Sequence, residues 1–250
     1  MSTSSLMSLA YRLDPVEMAR GAGLELDPWQ AKLVRSRAPR VLVNCSRQSG
    51  KSTTTAVLAC HTAFYKEKST ILLLSPSLRQ SSLLFRKCLE VYRNLDKPIA
   101  SEAESALRLQ LENGSQIISL PGKEGTVRGF SSVDIVAVDE ASRVEESLFQ
   151  SVKPMLAVSN GRLVLLSTPF ARRGFFYEEW RRREKWDYYQ VDATQCPRIS
   201  KEFLDNERED IGDFWFRQEY MCEFLNAESS AFRAEDVEQI VKKDLTTWDL

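Results

Sequence analysis

The chain has 250 residues, of which 43% are hydrophobic and 28% are charged, proportions typical of a globular protein of one or two domains. Its 34 lysine and arginine residues and 35 acidic residues give a net charge of −1, so binding to a polyanion would require a local basic surface. The single histidine argues against a histidine-based triad, and the five widely spaced cysteines argue against a zinc site. The sequence has no apolar run of ~18–20 residues, the length that a membrane-spanning helix needs.

Short apolar runs alternate with segments of helical periodicity along the chain. The apolar runs predict buried strands at residues 41–44, 71–75, 133–138, 163–167 and 188–191. The periodic segments predict helices at about residues 52–65, 77–94, 145–156, 175–185, 200–209 and 212–224. Strands that alternate with helices indicate an α/β fold in which a mostly parallel sheet is sandwiched by helices.

A different period interrupts this pattern in the middle of the chain. Leucines alternate with polar residues from Leu107 to Leu111, and Asn113-Gly114 separates them from a further run at residues 116–120. Alternation on both sides of an Asn-Gly turn predicts a β-hairpin, which would be an addition to the sheet.

Residues 45–52 (CSRQSGKS) lie between a predicted strand and a predicted helix, which is the setting of a phosphate-binding P-loop. In such a loop Lys51 would contact the β- and γ-phosphates, and the Ser52 hydroxyl would ligate Mg²⁺. Cys45 replaces the first glycine of the pattern, so a degenerate loop that only scaffolds other proteins remains an alternative. Arg47 would either add a cation near the phosphates or pair with a carboxylate at the rim of the loop. The nucleotide-binding residues predicted here are Ser46, Arg47, Gln48, Ser49, Gly50, Lys51, Ser52 and Thr53.

Two adjacent carboxylates, Asp139 and Glu140, follow the apolar strand predicted at residues 133–138. Such a pair at the end of a buried strand is unfavourable without a cation or a proton to bind. Asp139 would hold Mg²⁺, and Glu140 would act as the general base that activates water. Together with the P-loop, the pair predicts hydrolysis of a nucleotide.

Residues outside these two motifs are also predicted to contact the nucleotide. Gln30 is predicted to contact adenine, whereas Trp29 either packs on the base or anchors a helix in the core. Thr168 follows the strand at residues 163–167, where a hydroxyl would lie beside the γ-phosphate and sense hydrolysis, unless the segment only ends a strand. Arg128 lies in a predicted flexible loop flanked by Gly125 and Gly129, and it is either an arginine finger for a neighbouring subunit or an ordinary surface arginine.

Two stretches of the chain are rich in basic residues. The first, residues 29–65, contains lysines and arginines but no acidic residue. The second, residues 172–185, alternates between basic and acidic residues, so it is interpreted as a solvated helix face, with nucleic-acid contact as the alternative.

The motifs SRQSGKS, IVAVDEAS, LLSTPFARRGFFYEEW and FWFRQEYMCEF, in this order, resemble those of the ATPase domain of the large terminase subunit of tailed bacteriophages. The resemblance spans about residues 26–232. It implies a P-loop NTPase fold of the ASCE type with the added hairpin and a small helical subdomain, ATP as substrate and Mg²⁺ as cofactor. It further implies catalytic roles for Lys51 and Glu140, coupling by Thr168, and an arginine finger at Arg128 or Arg47.

The same family implies a motor that drives double-stranded DNA into a procapsid, with the portal protein and the small terminase subunit as partners. The motor would form a homo-oligomeric ring, usually a pentamer, with a monomer as the alternative for an isolated domain. It would be found in the host cell cytoplasm, docked on the portal, with no membrane contact. Residues 1–232 are interpreted as the ATPase domain and residues 233–250 as a linker toward an absent nuclease domain, so no nuclease activity is expected. The competing interpretation is a superfamily 2-like helicase or translocase core, which would need a second RecA-like lobe.

Overall fold

The computed structural model describes residues 3–122, 127, 129–130 and 132–226 of the chain. Eight strands of the described residues form a sheet. These strands are β1 (Arg40–Cys45), β2 (Thr70–Ser75), β3 (Ser101–Glu104), β4 (Arg108–Leu111), β5 (Gln116–Pro121), β6 (Ile135–Asp139), β7 (Arg162–Ser167) and β8 (Asp187–Val191). They lie in the spatial order β3-β4-β5-β2-β6-β7-β1-β8.

Most of the sheet is parallel, as the sequence predicts. Strand β2 pairs in parallel with β5 and β6, and β7 pairs in parallel with β6 and β1, which in turn pairs with β8. Only the β3–β4 and β4–β5 pairings within the described residues are antiparallel. Because the parallel strands share one direction, the carboxyl ends of β1, β6 and β7 meet at one edge, which is where a parallel sheet binds ligands.

Helices cover both faces of this sheet. They are α1 (Thr3–Leu13), α2 (Pro15–Gly21), α3 (Pro28–Arg35), α4 (Lys51–Tyr65), α5 (Leu78–Asn94), α6 (Glu146–Ala157), α7 (Phe175–Arg181), α8 (Lys201–Ile211) and α9 (Asp213–Glu219), with 3₁₀ turns at Ala141–Arg143, Arg183–Lys185 and Ala193–Gln195. None of the helices described combines the length and the apolar character needed to cross a bilayer.

The hydrophobic core consists of two layers that the sheet separates. Val41 and Val43 of β1 face a cluster formed largely with α2–α5, whereas Leu42 between them faces a cluster formed with α6 and α7. This alternation follows from the period of two in a strand, and it accounts for the nearly continuous apolar sequence of each central strand.

The predicted β-hairpin is confirmed, and it joins the sheet through β5, which pairs with both β4 and β2. Its turn requires Gly114, whose φ of +79° is unfavourable for residues with a side chain. Strand β3 was not predicted, because its residues, Ser101–Glu104, are all exposed and have no apolar alternation.

Two predicted helices are shorter than the sequence pattern suggested. The helix at 175–185 ends at Arg181, since the chain must then bring the buried side chain of Trp186 to the core before β8 begins. The helix at 212–224 ends at Glu219. The predicted linker at 233–250 lies outside the described residues.

Candidate active site

The P-loop turns sharply between β1 and α4. Gln48 and Gly50 have positive φ angles of +57° and +95°, and a Cβ atom at Gly50 would lie 2.4 Å from Nε2 of Gln30. Glycine is therefore required at position 50 both for its backbone conformation and for the space it leaves. Cys45, which replaces the expected first glycine, is fully buried as the last residue of β1 and packs in the core. Burial raises the pKa of its thiol to about 11, so Cys45 is neutral beside the loop.

Lys51 is the first residue of α4 and is only 7% exposed. Its Nζ donates to the backbone oxygen of Ser46 at 3.1 Å and lies 3.8 Å from Oε1 of Glu140. The loop carbonyl and the carboxylate thus fix the ammonium group at the start of the helix, where the aligned backbone amides also favour an anion.

Asp139 and Glu140 lie next to the P-loop, although 87 residues separate Asp139 from Ser52. The Ser52 hydroxyl donates to Oδ2 of Asp139 at 3.1 Å. The backbone N–H of Glu140 donates to the other carboxylate oxygen at the same distance. Burial, with the charge of Glu140 as a further cause, raises the pKa of Asp139 to about 6.

These oxygen atoms fit a magnesium ion. The hydroxyl and the carboxylate are hard oxygen ligands from two adjacent segments, and Mg²⁺ in nucleotide sites takes one or two such protein ligands and completes its shell with phosphate and water. A cation there would also offset the unfavourable burial of the Asp139 charge. Ser52 and Asp139 are therefore the residues that could hold Mg²⁺.

Glu140 is held in a conformation that is uncommon for a residue with a side chain. Its φ and ψ angles are +52° and +43°, and its side chain is 24% exposed toward the cleft. Oε2 of Glu140 lies 3.5 Å from the hydroxyl oxygen of Ser167, which in turn lies 2.8 Å from the hydroxyl of Ser142. The strained backbone and these two serines position the carboxylate, an arrangement common at functional sites.

The end of β7 contacts the Glu140 carboxylate through Ser167 rather than through the predicted residue Thr168. Thr168 is 2% exposed, and its backbone oxygen accepts a hydrogen bond from the Ser142 hydroxyl at 2.9 Å. Its coupling role stays a prediction. Ser142 and Ser167 were not predicted, although Ser167 belongs to the Ser-Thr-Pro motif that drew attention to this strand end.

Arg47 pairs with a carboxylate at the rim of the loop, the second of the two arrangements expected from the sequence. Its Nε lies 3.7 Å from Oε2 of Glu219, and its backbone N–H donates to the backbone oxygen of Glu219 at 3.0 Å. Arg143 approaches the other carboxylate oxygen at 3.3 Å, while the Arg47 side chain stays 66% exposed. The buried carboxylate of Glu219 therefore links the P-loop, the segment after β6 and the end of α9.

Gln30, in α3, braces the P-loop through a hydrogen bond. Its Oε1 accepts from the backbone N–H of Asp27 at 2.7 Å, and its Nε2 donates to the backbone oxygen of Gly50 at 3.3 Å. Trp29 is partly buried and packs against the core, which is the second of the two arrangements expected for it from the sequence. Contact of either residue with adenine stays a prediction.

A bidentate ion pair adds to this brace and was not predicted. Both terminal nitrogens of Arg198 donate to Asp27 at 2.7 Å, and one also donates to the backbone oxygen of Ser49 at 3.2 Å. Asp27 is 7% exposed, and Arg198 supplies the opposite charge that compensates for burial of its carboxylate.

The P-loop opens into a cleft of about 860 Å³ whose far wall is made by the helices near the end of the described chain. Its lining residues are Arg47, Gln48, Gly50, Lys51, Ser52, Thr53, Lys87, Glu140, Arg198, Phe203, Glu207 and Tyr220. Lys87, Phe203 and Glu207 were not predicted, because no motif surrounds them and only the fold brings them to the loop. Tyr220 belongs to the motif FWFRQEYMCEF, but no chemical role could be derived for it from the sequence. The predicted finger Arg128 lies outside the described residues.

Basic and aromatic groups share this cleft. Nζ of Lys87 donates to the Thr53 hydroxyl at 3.4 Å, which places a second lysine next to the loop. The ring of Phe203 is 39% exposed and packs edge-on against Tyr220, whose hydroxyl donates to Glu207 at 2.9 Å. The arrangement combines a cationic end for phosphates with an aromatic end for a planar group.

Known proteins share this fold and sequence pattern. A terminase large subunit of Thermus virus P23-45 is 25% identical over an alignment of 245 residues. The match covers 83% of this chain and 50% of that protein, so the chain spans about half the length of the curated relatives it matches. The large terminase ATPase domain of Thermus phage P74-26 has a TM-score of 0.72 at 24% identity, covering 82% of this chain and 96% of that one.

The large terminase of a thermophilic bacteriophage, in complex with ADP, has a TM-score of 0.65 at 12% identity, covering 80% of this chain and 54% of that one. These similarities confirm the predicted P-loop fold of the ASCE type, in which one strand, here β7, separates the P-loop strand from the carboxylate strand. The family model described as "Terminase large subunit, T4likevirus-type, N-terminal" matches residues 42–239, which is most of the sequence, and the chain belongs to this family.

Proposed function

We propose that this chain is an ATP-hydrolysing motor domain that drives translocation of double-stranded DNA into a viral procapsid. The observation that carries the proposal is the convergence of the P-loop with the carboxylate pair: Ser52 bonds Asp139 at 3.1 Å, and Lys51 lies 3.8 Å from Glu140. A P-loop with a neighbouring carboxylate that faces the cleft can both bind a triphosphate and accept a proton from water. The family membership supplies the biological setting.

The residues divide the work of hydrolysis as follows. The backbone amides at the start of α4 and the ammonium group of Lys51 bind phosphate oxygens. Mg²⁺, held by Ser52 and Asp139, would neutralise charge on the phosphates. Glu140 accepts the proton of the attacking water, and Ser167 keeps its carboxylate oriented toward the cleft.

The aromatic end of the cleft is proposed to bind the nucleotide base. Phe203 presents an exposed ring face within the same cleft as the P-loop, and base stacking on an aromatic side chain is favourable by ~1–3 kcal/mol. Gln30 remains the proposed adenine contact from the sequence pattern. Its hydrogen bond to Gly50 also supports a role in holding the loop.

The remaining partners are proposed from family membership alone. They are double-stranded DNA, the portal protein, the small terminase subunit and neighbouring copies in a ring docked on the procapsid in the host cytoplasm. Arg128 of one copy is proposed to complete the site of the next, since an arginine finger accelerates phosphoryl transfer by ~10³-fold or more.

Phosphate release tests the proposal directly. The wild-type chain should release phosphate from ATP only with Mg²⁺, and Glu140→Gln should abolish turnover while a nonhydrolysable ATP analogue still binds. Lys51→Ala should lose both binding and turnover, because the buried ammonium group contacts the phosphates. Near-normal hydrolysis by Glu140→Gln would refute the assignment of the base, and absence of binding by the wild-type chain would refute the function.

A further inference from the structure

The edge of the sheet opposite the nucleotide cleft carries two further concave surfaces. One depression of about 420 Å³ and another of about 290 Å³ adjoin each other and share Asn160 and Gly161. They lie where β1 and β7 begin, at the far end of these strands from the P-loop. The proposed hydrolysis does not use this edge.

Basic side chains line both depressions. We call this surface the basic edge, defined by Arg12, Arg37, Arg40, Lys66, Lys153 and Arg162. Asp134 is the one carboxylate among the lining residues that the structure describes, and it is already bound by Lys66 at 2.5 Å and by the backbone N–H of Thr70 at 2.8 Å. Because the whole chain has a net charge of −1, this is a local concentration of positive charge.

Arg162 shows that this charge is not balanced within the described protein. Its Nε donates to the backbone oxygen of Ala38 at 3.0 Å, but its buried Nη2 has no hydrogen-bond partner among the residues that the structure describes. Burial and the nearby charge of Arg37 lower the pKa of Arg162, which means that its cationic form is disfavoured where it lies. A buried guanidinium nitrogen without a partner is unfavourable, and an anion bound to the exposed arginines beside it would offset part of the surplus positive charge.

The neighbouring basic groups point to the same requirement. Arg12 and Arg37 are exposed and have no ion-pair partner among the described residues. Burial, with the charge of Arg37 as a lesser cause, lowers the pKa of His61, which lines the same depression. Several cations around one concavity with a single, already paired carboxylate form a surface for a phosphate-type anion.

We propose that the basic edge binds backbone phosphates of double-stranded DNA. The choice of DNA rests on the proposed function, whereas the phosphate chemistry rests on the unpartnered arginines. Two adjoining depressions fit a ligand with successive phosphates better than a single small anion. Phosphate contacts by arginine and lysine supply most of the sequence-independent affinity for DNA.

The other basic stretch of the chain is a weaker match. There Arg181 pairs with Glu178, Arg183 lies over the ring of Trp180, and acidic residues interrupt the run. Its positive charge is therefore largely offset locally. The basic edge, by contrast, draws on the acid-free stretch at residues 29–65 for Arg37 and Arg40.

The test measures DNA binding by fluorescence anisotropy of a labelled duplex over a range of salt concentrations. The double variant Arg12→Ala/Arg37→Ala removes two exposed arginines without known partners, so it should fold normally. Each lost phosphate contact reduces the magnitude of the slope of log binding constant against log salt concentration by ~0.9. The loss of two contacts should therefore reduce this magnitude by about 1.8 and the affinity by roughly tenfold. The matched control Arg181→Ala/Arg182→Ala removes the same charge from the other basic stretch and should bind as the wild type does.

An unchanged salt slope in Arg12→Ala/Arg37→Ala would overturn the proposal, and so would an equal loss in the control. Inorganic phosphate alone is tested by thermal shift. Stabilisation by phosphate that disappears in the double variant, together with unchanged DNA binding, would assign the depression to a small anion and overturn the DNA assignment. Phosphate release from ATP without DNA should be normal in both double variants, so failure here is distinguishable from failure of the proposed hydrolysis.

Discussion

Replacement of Asp139 by asparagine is expected to stabilise the protein and to abolish its turnover. Burial and the charge of Glu140 raise the pKa of Asp139 from 3.8 to about 6. For an acid whose pKa is higher in the folded state, stability is greatest below the unfolded-state pKa and decreases as pH rises from 3.8 to about 6. At ~1.4 kcal/mol per pKa unit, this rise corresponds to roughly 3 kcal/mol lost at pH 7, which a neutral side chain would recover.

Asparagine keeps the shape and the hydrogen bonds of the site. Its oxygen can accept from the N–H of Glu140, and its amide can donate to the Ser52 hydroxyl, the two partners of Asp139. In urea unfolding with EDTA, Asp139→Asn should be more stable than the wild type by roughly 2–3 kcal/mol at pH 7, and this difference should vanish near pH 4. Asp205→Asn, at an exposed position in α8, is the control and should show no such difference. A variant that is no more stable at pH 7, or a difference that persists at low pH, would refute the reasoning.

Three further experiments test other parts of the site. Arg198→Ala should lower the free energy of unfolding by about 2 kcal/mol and weaken ATP-analogue binding, because it leaves the buried Asp27 carboxylate unpaired. The expected loss is smaller than the ~3–5 kcal/mol typical of breaking a fully buried pair, because Arg198 is half exposed. A double-mutant cycle with Asp27→Ala measures the coupling, and a coupling near zero would contradict the brace. Phe203→Ala should weaken binding of a fluorescent ATP analogue roughly tenfold, whereas Phe203→Tyr, which keeps an aromatic ring, should not. Equal affinity of the two variants for the analogue would exclude stacking. Mixing Lys51→Ala with Arg128→Ala protein should restore part of the hydrolysis if the finger acts between subunits, and no recovery at any ratio, with assembly verified, would count against it.

The central sheet could be predicted because its signals are local. The apolar run of each inner strand and the Asn113-Gly114 turn specify strand and hairpin within a few residues of sequence. The P-loop and the Asp139-Glu140 pair were recognisable for the same reason. The parallel order of the sheet then brings the two motifs to one edge, so that Ser52 meets Asp139.

The supporting contacts could not be predicted, because they join segments that are distant in sequence and no local pattern indicates which residues will be partners. Arg198 lies 171 residues from Asp27, and neither residue differs from an ordinary surface charge in its sequence context. Glu219 likewise reaches Arg47 only because α9 packs beside the P-loop. In the sequence the partner of Arg47 could be stated only as a phosphate or a carboxylate at the loop rim, and the fold supplies the carboxylate.

The distribution of charge on the sheet gives a physical reason to assign its two edges to different anions. At the carboxyl edge Lys51 pairs with Glu140 and Arg47 pairs with Glu219, so binding of a triphosphate there would exchange one set of partners for another. Exchange of this kind can change the contacts of α9 with the loop at each hydrolysis event. At the amino edge the exposed Arg12 and Arg37 have no ion-pair partner to exchange among the described residues, so binding there gains new contacts and falls steeply with salt. A steep salt dependence of DNA binding with a shallow one for ATP is what this difference requires, and the opposite pattern would show that the edges are assigned the wrong way round.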